Sequence, residues 1–154
     1  MKLSDNQYNF LSNLIANENK LLEEKPGALV FSKNELKNKL VFVRSGEVRL
    51  IDEESTFGSK TITKLDAPLL FGTFGLLNIE VNEIVRCSKK VKFNLIDYGE
   101  LNEDDLAKIK LICRFYCSDF ELIEIYKILA NLSGKNFEIK DIKQLKEKIS
   151  FVKN

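Results

Sequence analysis

The 154-residue sequence contains no histidine, and this absence removes several kinds of catalytic site. A serine or cysteine nucleophile activated by an imidazole cannot be assembled from this chain. Metal sites that hold iron largely through histidines are excluded for the same reason. We therefore predict that the protein is not an enzyme and that it has no catalytic or metal-ligating residues.

Cysteines and long apolar runs are also scarce. Three cysteines, an odd number, do not suggest a disulfide framework, and free thiols fit a reducing compartment. No stretch approaches the ~18 consecutive apolar residues of a membrane span, and the N-terminal residues lack the apolar core and cleavage site of a signal peptide. We expect a cytoplasmic location, with no direct membrane insertion by this segment.

The charges are nearly balanced, with 24 Lys and Arg residues against 23 Asp and Glu residues. The chain therefore lacks the excess of positive charge that would attract a polyanion, and we expect no nucleic-acid partner. The hydrophobic content of 44% is enough for one sizeable core.

The N-terminal segment has a helical pattern. Ser4 and Gln7 have the spacing of a capping box, and apolar residues then recur at helical intervals, which predicts a helix from residue 5 to about residue 23. Pro26-Gly27 marks the end of this segment.

Residues 28–98 form short runs rich in β-branched and aromatic side chains. In LVFVRSGEVRLI, two alternating halves flank Ser45-Gly46, which predicts a hairpin. TITKL and KVKFNLI alternate in the same way, with Val91, Phe93 and Leu95 on one face of the second run. Several short strands of this kind predict an antiparallel β-roll or jelly-roll barrel.

The C-terminal residues return to helical periods. NEDDLAKIKLICRFYC opens with acidic residues that suit a helix N-terminus, and a later apolar stripe comprises Leu122, Ile125, Tyr126 and Leu129. The fold class is therefore mainly β with an N-terminal helix and C-terminal helices. We divide the chain into a β-roll with its N-terminal helix at residues 1–112 and a helical extension at residues 113–154.

Two cysteines and two arginines could suggest a functional site, but we interpret them as ordinary core and surface residues. Cys113 and Cys117 share a helix face, and we expect them to be buried, inert thiols rather than metal ligands. Arg44 and Arg86 alternate with apolar strand residues, so we expect both to point outward into solvent.

Four segments, in order, resemble the cyclic nucleotide-binding domain family over about residues 24–112: KPGALVF, KLVFVRSGEVRLI, LFGTFGLL and VRCSKKVKFNLIDYGEL. That family includes catabolite-activator-type regulators, regulatory domains of ion channels and kinases, and modules fused to transporters. The resemblance implies an eight-stranded β-roll with a phosphate-binding cassette, here residues 71–87. The implied ligand-binding positions are Phe71, Gly72, Thr73, Phe74, Gly75, Leu76, Leu77, Val81 and Asn82.

The cassette departs from the family pattern where the chemistry matters. Thr73 stands where nucleotide-binding members carry a glutamate for the ribose, and the phosphate-pairing arginine falls on Val81 or, with a slip of one residue, on Asn82. Pro68-Leu69 replaces a Gly-Asp pair, and Glu83 adds negative charge near where the phosphate would lie. Because a buried phosphate without a cationic partner is costly, we interpret the cassette as degenerate and expect no cofactor.

These inferences together favour a non-enzymatic regulatory or docking module that does not bind cyclic AMP or cyclic GMP in the usual way. The resemblance also implies that it could be the N-terminal cytoplasmic domain of a larger protein, such as an ABC-type peptide or toxin exporter. The partner would be a second copy or the rest of the chain, through the C-terminal helices. Two alternatives stay open: a cyclic-nucleotide receptor with a rearranged pocket, and a catabolite-activator-type transcription regulator.

Overall fold

The computed structural model describes residues 3–15, 20–32, 34–52, 60–78 and 83–117. These residues form a mainly β structure with flanking helices, which confirms the predicted class. The elements in chain order are α1 (Asp5–Ile15), β1 (Leu22–Glu24), β2 (Leu29–Ser32), β3 (Lys39–Ser45), β4 (Glu47–Asp52), β5 (Lys60–Asp66), β6 (Leu69–Phe71), α2 (Thr73–Leu76), β7 (Ile84–Cys87), β8 (Val91–Asp97) and α3 (Glu103–Cys117).

The strands form two four-stranded antiparallel sheets in the part of the chain that the structure describes. The first sheet has the order β1-β8-β3-β6, and the second has the order β2-β7-β4-β5. The predicted antiparallel β-roll is confirmed. The barrel alternative is wrong, because the two sheets do not join into a closed barrel.

Strand β3 is buried on both of its faces. Its residues Val41 and Val43 pack between the two sheets, whereas Leu40 and Phe42 pack on the opposite face together with residues of α1 and α3. All four side chains are 0% exposed. This double burial explains why β3 is almost continuously apolar, since a strand covered on one side alone would alternate.

The Ser45-Gly46 pair is a corner between the sheets, so the predicted hairpin is wrong. Strand β3 pairs with β6 and β8, whereas β4 pairs with β5 and β7. Gly46 has a φ of +102°, and a Cβ atom there would collide with the carbonyl oxygen of Lys90. The turn signal was correct, but the chain uses it to pass from one sheet to the other.

Helix α1 begins as the sequence predicts and ends earlier. The backbone N–H of Ser4 donates to Oε1 of Gln7 at 2.9 Å, and the N–H of Gln7 donates to Oγ of Ser4 at 3.2 Å, which is the predicted capping box. The described helix ends at Ile15, and Leu22–Glu24 form a strand paired with β8. The prediction of a helix to about residue 23 was therefore wrong at its end.

Arg44 joins α1 to the first sheet, contrary to the expectation of a solvated arginine. Its guanidinium donates to Oδ1 of Asn94 at 2.7 Å and to Oγ of Ser12 at 3.2 Å. The Cζ atom also lies 4.8 Å from the ring centroid of Phe42 and 5.8 Å from that of Tyr8. The outward face of β3 at this point is covered by α1, so an outward-pointing arginine meets protein rather than water.

Helix α3 runs past the boundary that we placed between residues 112 and 113. Cys113 on this helix is buried in the cluster between the helices and the first sheet, as predicted. The Cys117 side chain and the stripe of Leu122, Ile125, Tyr126 and Leu129 lie outside what the structure describes, so those predictions stand untested. None of the described helices combines the length and apolar character needed to cross a bilayer.

Candidate functional site

The cassette begins where β6 turns sharply into α2. Gly72 caps this short helix in the left-handed conformation, with a φ of +87°. A Cβ atom at this position would lie 2.5 Å from the carbonyl oxygen of Lys39. Two features therefore require glycine at this position. The first is the left-handed backbone conformation, and the second is the close approach of the backbone to β3.

Glu83 is the polar centre of the cassette. It directly precedes β7, where Val85 and Cys87 point into the core, and the two-residue period of a strand brings Glu83 to the same face. The residue as a whole is only 6% exposed. The backbone N–H of Gly72 donates to Oε2 of Glu83 at 3.3 Å. Glu83, eleven residues after Gly72, thus folds back onto the first glycine of the cassette.

Burial raises the pKa of Glu83 from its ordinary value of 4.5 to about 7, and the hydrogen bond from Gly72 opposes this rise in part. The described residues provide no ion-pair partner for this carboxylate. Both protonation states are therefore present near neutral pH, and each ionised molecule carries a buried charge held by one backbone N–H.

A cavity of about 300 Å³ lies beside the cassette, and we call it the cassette cavity. The connection between β2 and β3 forms one wall, the cassette forms another, and side chains from β2 and from the end of β8 complete it. Its lining residues are Phe31, Asn34, Leu36, Lys37, Asn38, Lys39, Gly72, Phe74, Gly75, Glu83 and Tyr98.

The cationic side chains that line the cassette cavity differ in their surroundings. Nζ of Lys39 lies 3.1 Å from Oδ2 of Asp97, and this contact holds the pKa of Asp97 below its ordinary value. Lys37 is exposed. Burial raises the pKa of Tyr98, a phenol that also lines the cavity, so Tyr98 stays neutral near pH 7.

The structure separates the cassette positions that the sequence grouped together. Gly72, Phe74 and Gly75 line the cavity. Phe71 packs between the two sheets, while Leu76 and Leu77 pack with the helices. Thr73 is 1% exposed on the first residue of α2. Val81 and Asn82 lie outside the described residues. Ligand binding by any of these positions remains a prediction.

Sequence reasoning missed the residues that give the cassette cavity its polar character. Glu83 was noted as a nearby charge but not placed in the site, although its spacing of two and four residues from Val85 and Cys87 indicated the buried face. Lys37 and Lys39 precede or begin β3, and Tyr98 follows β8, so they come together only through the pairing of β3 with β8. No local pattern could have revealed that meeting.

The arrangement disfavours an anion at the cassette glycine. The N–H of Gly72 already donates to Glu83, and in each molecule in which Glu83 is ionised an incoming phosphate would lie beside a second, buried negative group. Like charges in such surroundings repel far more strongly than they would in water. What the cavity offers instead is the carboxyl group of Glu83 and aromatic or aliphatic surface, together with two lysines and two asparagines.

Comparisons with known proteins reveal likeness in structure alone. No protein-family profile and no curated protein matches the chain. A cyclic nucleotide-binding domain from Methylobacillus flagellatus is similar, with 17% identity, 85% of this chain and 75% of that chain covered, and a TM-score of 0.59. The N-terminal domain of a transcriptional regulator from Streptomyces coelicolor gives 18% identity, coverage of 76% and 87%, and a TM-score of 0.53.

A third similar structure is the regulatory subunit of a cAMP-independent protein kinase A from Trypanosoma brucei, in a triple-mutant form bound to cAMP. It shares 18% identity with this chain, over 79% of this chain and 47% of that one, with a TM-score of 0.60. The chain thus spans about half the length of that subunit.

The two open antiparallel sheets, the flanking helices and the short helix after β6 define an antiparallel β-roll. In particular, the chain has the fold of a cyclic nucleotide-binding domain.

Proposed function

We propose that this chain is a non-enzymatic regulatory or docking module that does not bind cyclic AMP or cyclic GMP in the usual way. The observation that carries the proposal is the carboxylate of Glu83, which accepts the Gly72 N–H within the cassette. Thr73 supports it from the other side, because a neutral side chain stands where the resemblance expects the ribose-binding glutamate. A cyclic phosphate would have to displace or face Glu83 without gaining a guanidinium partner.

The regulatory output of such a module would pass through α3. Helix α2, which follows the cassette glycine directly, packs against α3. A change at the cassette that displaces α2 would therefore alter the surface on which α3 rests, and packed helices respond by shifting as units. This contact supports α3 and the residues after it as the element that reaches a partner, whether a second copy or the rest of a longer chain.

The proposal extends to the context of the chain. A cytoplasmic domain at the N-terminus of a larger protein, such as an ABC-type peptide or toxin exporter, is the setting we favour. Support comes from the resemblance to the cyclic nucleotide-binding domain family, because that family includes modules fused to transporters. The complete open reading frame of the gene tests this part, and a frame that encodes no further domain would contradict it.

A functional receptor with a rearranged pocket is the second candidate. The cassette cavity favours it, because a lined space of about 300 Å³ beside the cassette is large enough for a small ligand. In this alternative the ligand would use Lys37 or Lys39 in place of the missing arginine. The described residues offer no further support for a transcription regulator.

Titration calorimetry with cyclic AMP and cyclic GMP tests the proposal. We expect no binding with a dissociation constant below about 100 μM, since charge-assisted hydrogen bonds to phosphate and ribose are missing. A cyclic nucleotide-binding domain of known affinity, titrated under the same conditions, is the control for the assay. Low-micromolar binding by this chain would contradict the proposal and favour the second candidate.

A further inference from the structure

We propose that the cassette cavity binds a compact cationic amine with an apolar body, with the ammonium on the Glu83 carboxylate and the body against the aromatic walls. This inference deepens the proposed function and rests on it, because it names the class of ligand that the module would sense. It stands on the geometry of the cavity and on the charges that line it.

The first observation is a buried carboxylate that lines a cavity. Glu83 is 6% exposed, it is one of the residues lining the space, and the Gly72 N–H is its partner among the described residues. A carboxylate can accept several hydrogen bonds, so a donor from a ligand can still be accommodated. An ammonium group supplies both the donor and the missing opposite charge.

The second observation is the character of the walls. Phe31, Phe74 and Tyr98 line the same space, and Leu36 adds an aliphatic surface. Aromatic rings attract ammonium groups through their faces and also bury an apolar body. A carboxylate that shares a cavity with aromatic rings is thus suited to an amine, and the lysines of the same cavity are the competing charges.

The third observation concerns the competing positive charges. Lys39 is already paired with Asp97 at 3.1 Å, and Lys37 is exposed, so water and salt screen its charge. Glu83 lies in the interior, where the same charge acts more strongly. The buried charge of Glu83 therefore makes the cavity prefer a cationic ligand to an anionic one, and the exposed Lys37 weakens this preference.

The size of the cavity limits the ligand. A volume of about 300 Å³ lies at the lower end of the range for small-molecule pockets. An aromatic ring with a short amine arm is a molecule of suitable dimensions, so 2-phenylethylamine is a reasonable probe. It has two matched analogues, since 3-phenylpropionate carries a carboxylate on a similar arm and 2-phenylethanol carries a neutral hydroxyl.

Protonation of Glu83 provides a second and independent readout. Burial raises the pKa of Glu83 to about 7, so the carboxylate is mostly protonated at about pH 5.5 and mostly ionised at about pH 8. An alkylamine stays protonated across this range. The other titratable or charged groups lining the cavity are Lys37, Lys39 and Tyr98, with Asp97 on Lys39. Amine affinity should rise roughly 30-fold between these two pH values, in proportion to the ionised fraction of Glu83.

The experiment uses the full 154-residue chain and titrates the three probes at both pH values. We expect 2-phenylethylamine to bind at pH 8 with a dissociation constant below about 1 mM, and 3-phenylpropionate not to bind at up to about 10 mM. The Glu83→Gln variant should lose at least about tenfold in amine affinity and should lose the dependence on pH. Glu35→Gln, an exposed acid on the β2–β3 connection, is the matched control and should behave as wild type.

Three results would overturn the inference: no amine binding at about 10 mM, equal affinity in Glu83→Gln, or equal affinity for 3-phenylpropionate. The pH dependence of the unaltered chain keeps the test decisive if the variant folds poorly. Cyclic AMP is titrated in parallel. Tight binding of cyclic AMP would defeat the proposed function, whereas failure of the amine alone, with cyclic AMP also unbound, would defeat only this inference.

Discussion

Replacing Glu83 with glutamine should make the protein more stable above neutral pH and leave its stability almost unchanged in mild acid. Glutamine keeps the shape of the side chain and retains a carbonyl oxygen for the Gly72 N–H, but it cannot ionise. The substitution therefore removes the free-energy cost of holding a buried negative charge. A conservative substitution in the cassette should thus raise the free energy of unfolding.

The pKa of Glu83 sets the direction of the effect. In the folded protein it is raised to about 7, whereas the unfolded chain has the ordinary value of 4.5. Between these values the folded state holds a proton that the unfolded state has released, so the free energy of unfolding falls as the pH rises. Each pKa unit corresponds to about 1.4 kcal/mol, which makes the full loss about 3 kcal/mol. Between about pH 5 and pH 8 the loss is about 2 to 3 kcal/mol.

Urea unfolding at several pH values between 5 and 8 measures this loss. The free energy of unfolding of the unaltered chain should decline across the range, while that of Glu83→Gln should decline less, with the two curves meeting near pH 5. Glu35→Gln is again the control, because its exposed side chain should change neither curve. If wild type and Glu83→Gln decline in parallel, Glu83 does not titrate in a buried setting, and the reasoning about the cavity fails with it.

Two further predictions concern the frame around the site. Gly72→Ala should cost about 2 to 4 kcal/mol of unfolding free energy, and Gly27→Ala about 1 kcal/mol. Both glycines have a φ of +87°, but only Gly72 approaches the backbone of Lys39. An equal loss of unfolding free energy in the two variants would contradict the prediction, because it would show that the close approach at Gly72 adds no cost. Arg44→Ala should cost about 2 kcal/mol and speed amide exchange in α1, because it removes charged hydrogen bonds to the helix and the sheet. Exposed Lys64→Ala is its control, and an equal effect of the two would contradict the role of Arg44.

The sequence predicted those features that depend on neighbouring residues. The Ser4 and Gln7 capping box requires only three residues of separation, and it forms as expected. The alternating run of β8 also forms, with Val91 and Phe93 buried in the core. In both cases the residues that cause the structure are close together in the sequence, so their spacing is enough to predict it.

Features that depend on distant pairing could not be predicted. Ser45-Gly46 has the composition of a hairpin turn, yet the partner of β3 is decided by β6 and β8 far along the chain. The outward direction of Arg44 was inferred correctly, but its burial beneath α1 depends on tertiary packing. For Glu83, the sequence indicated an unfavourable charge without revealing that Gly72 would donate to it.

The order of the strands has a consequence for how the chain can fold during synthesis. Strand β8 lies between β1 and β3, and β7 lies between β2 and β4. Each sheet thus receives an inner strand only after its neighbours have been made, and a nascent chain that ends before residue 84 leaves both sheets split. Pairings of such long sequence separation form slowly, and unfilled strand edges are prone to aggregate. The ribosome must therefore release nearly the whole roll before either sheet is continuous, so a truncation before β8 should yield an aggregating fragment rather than a smaller domain.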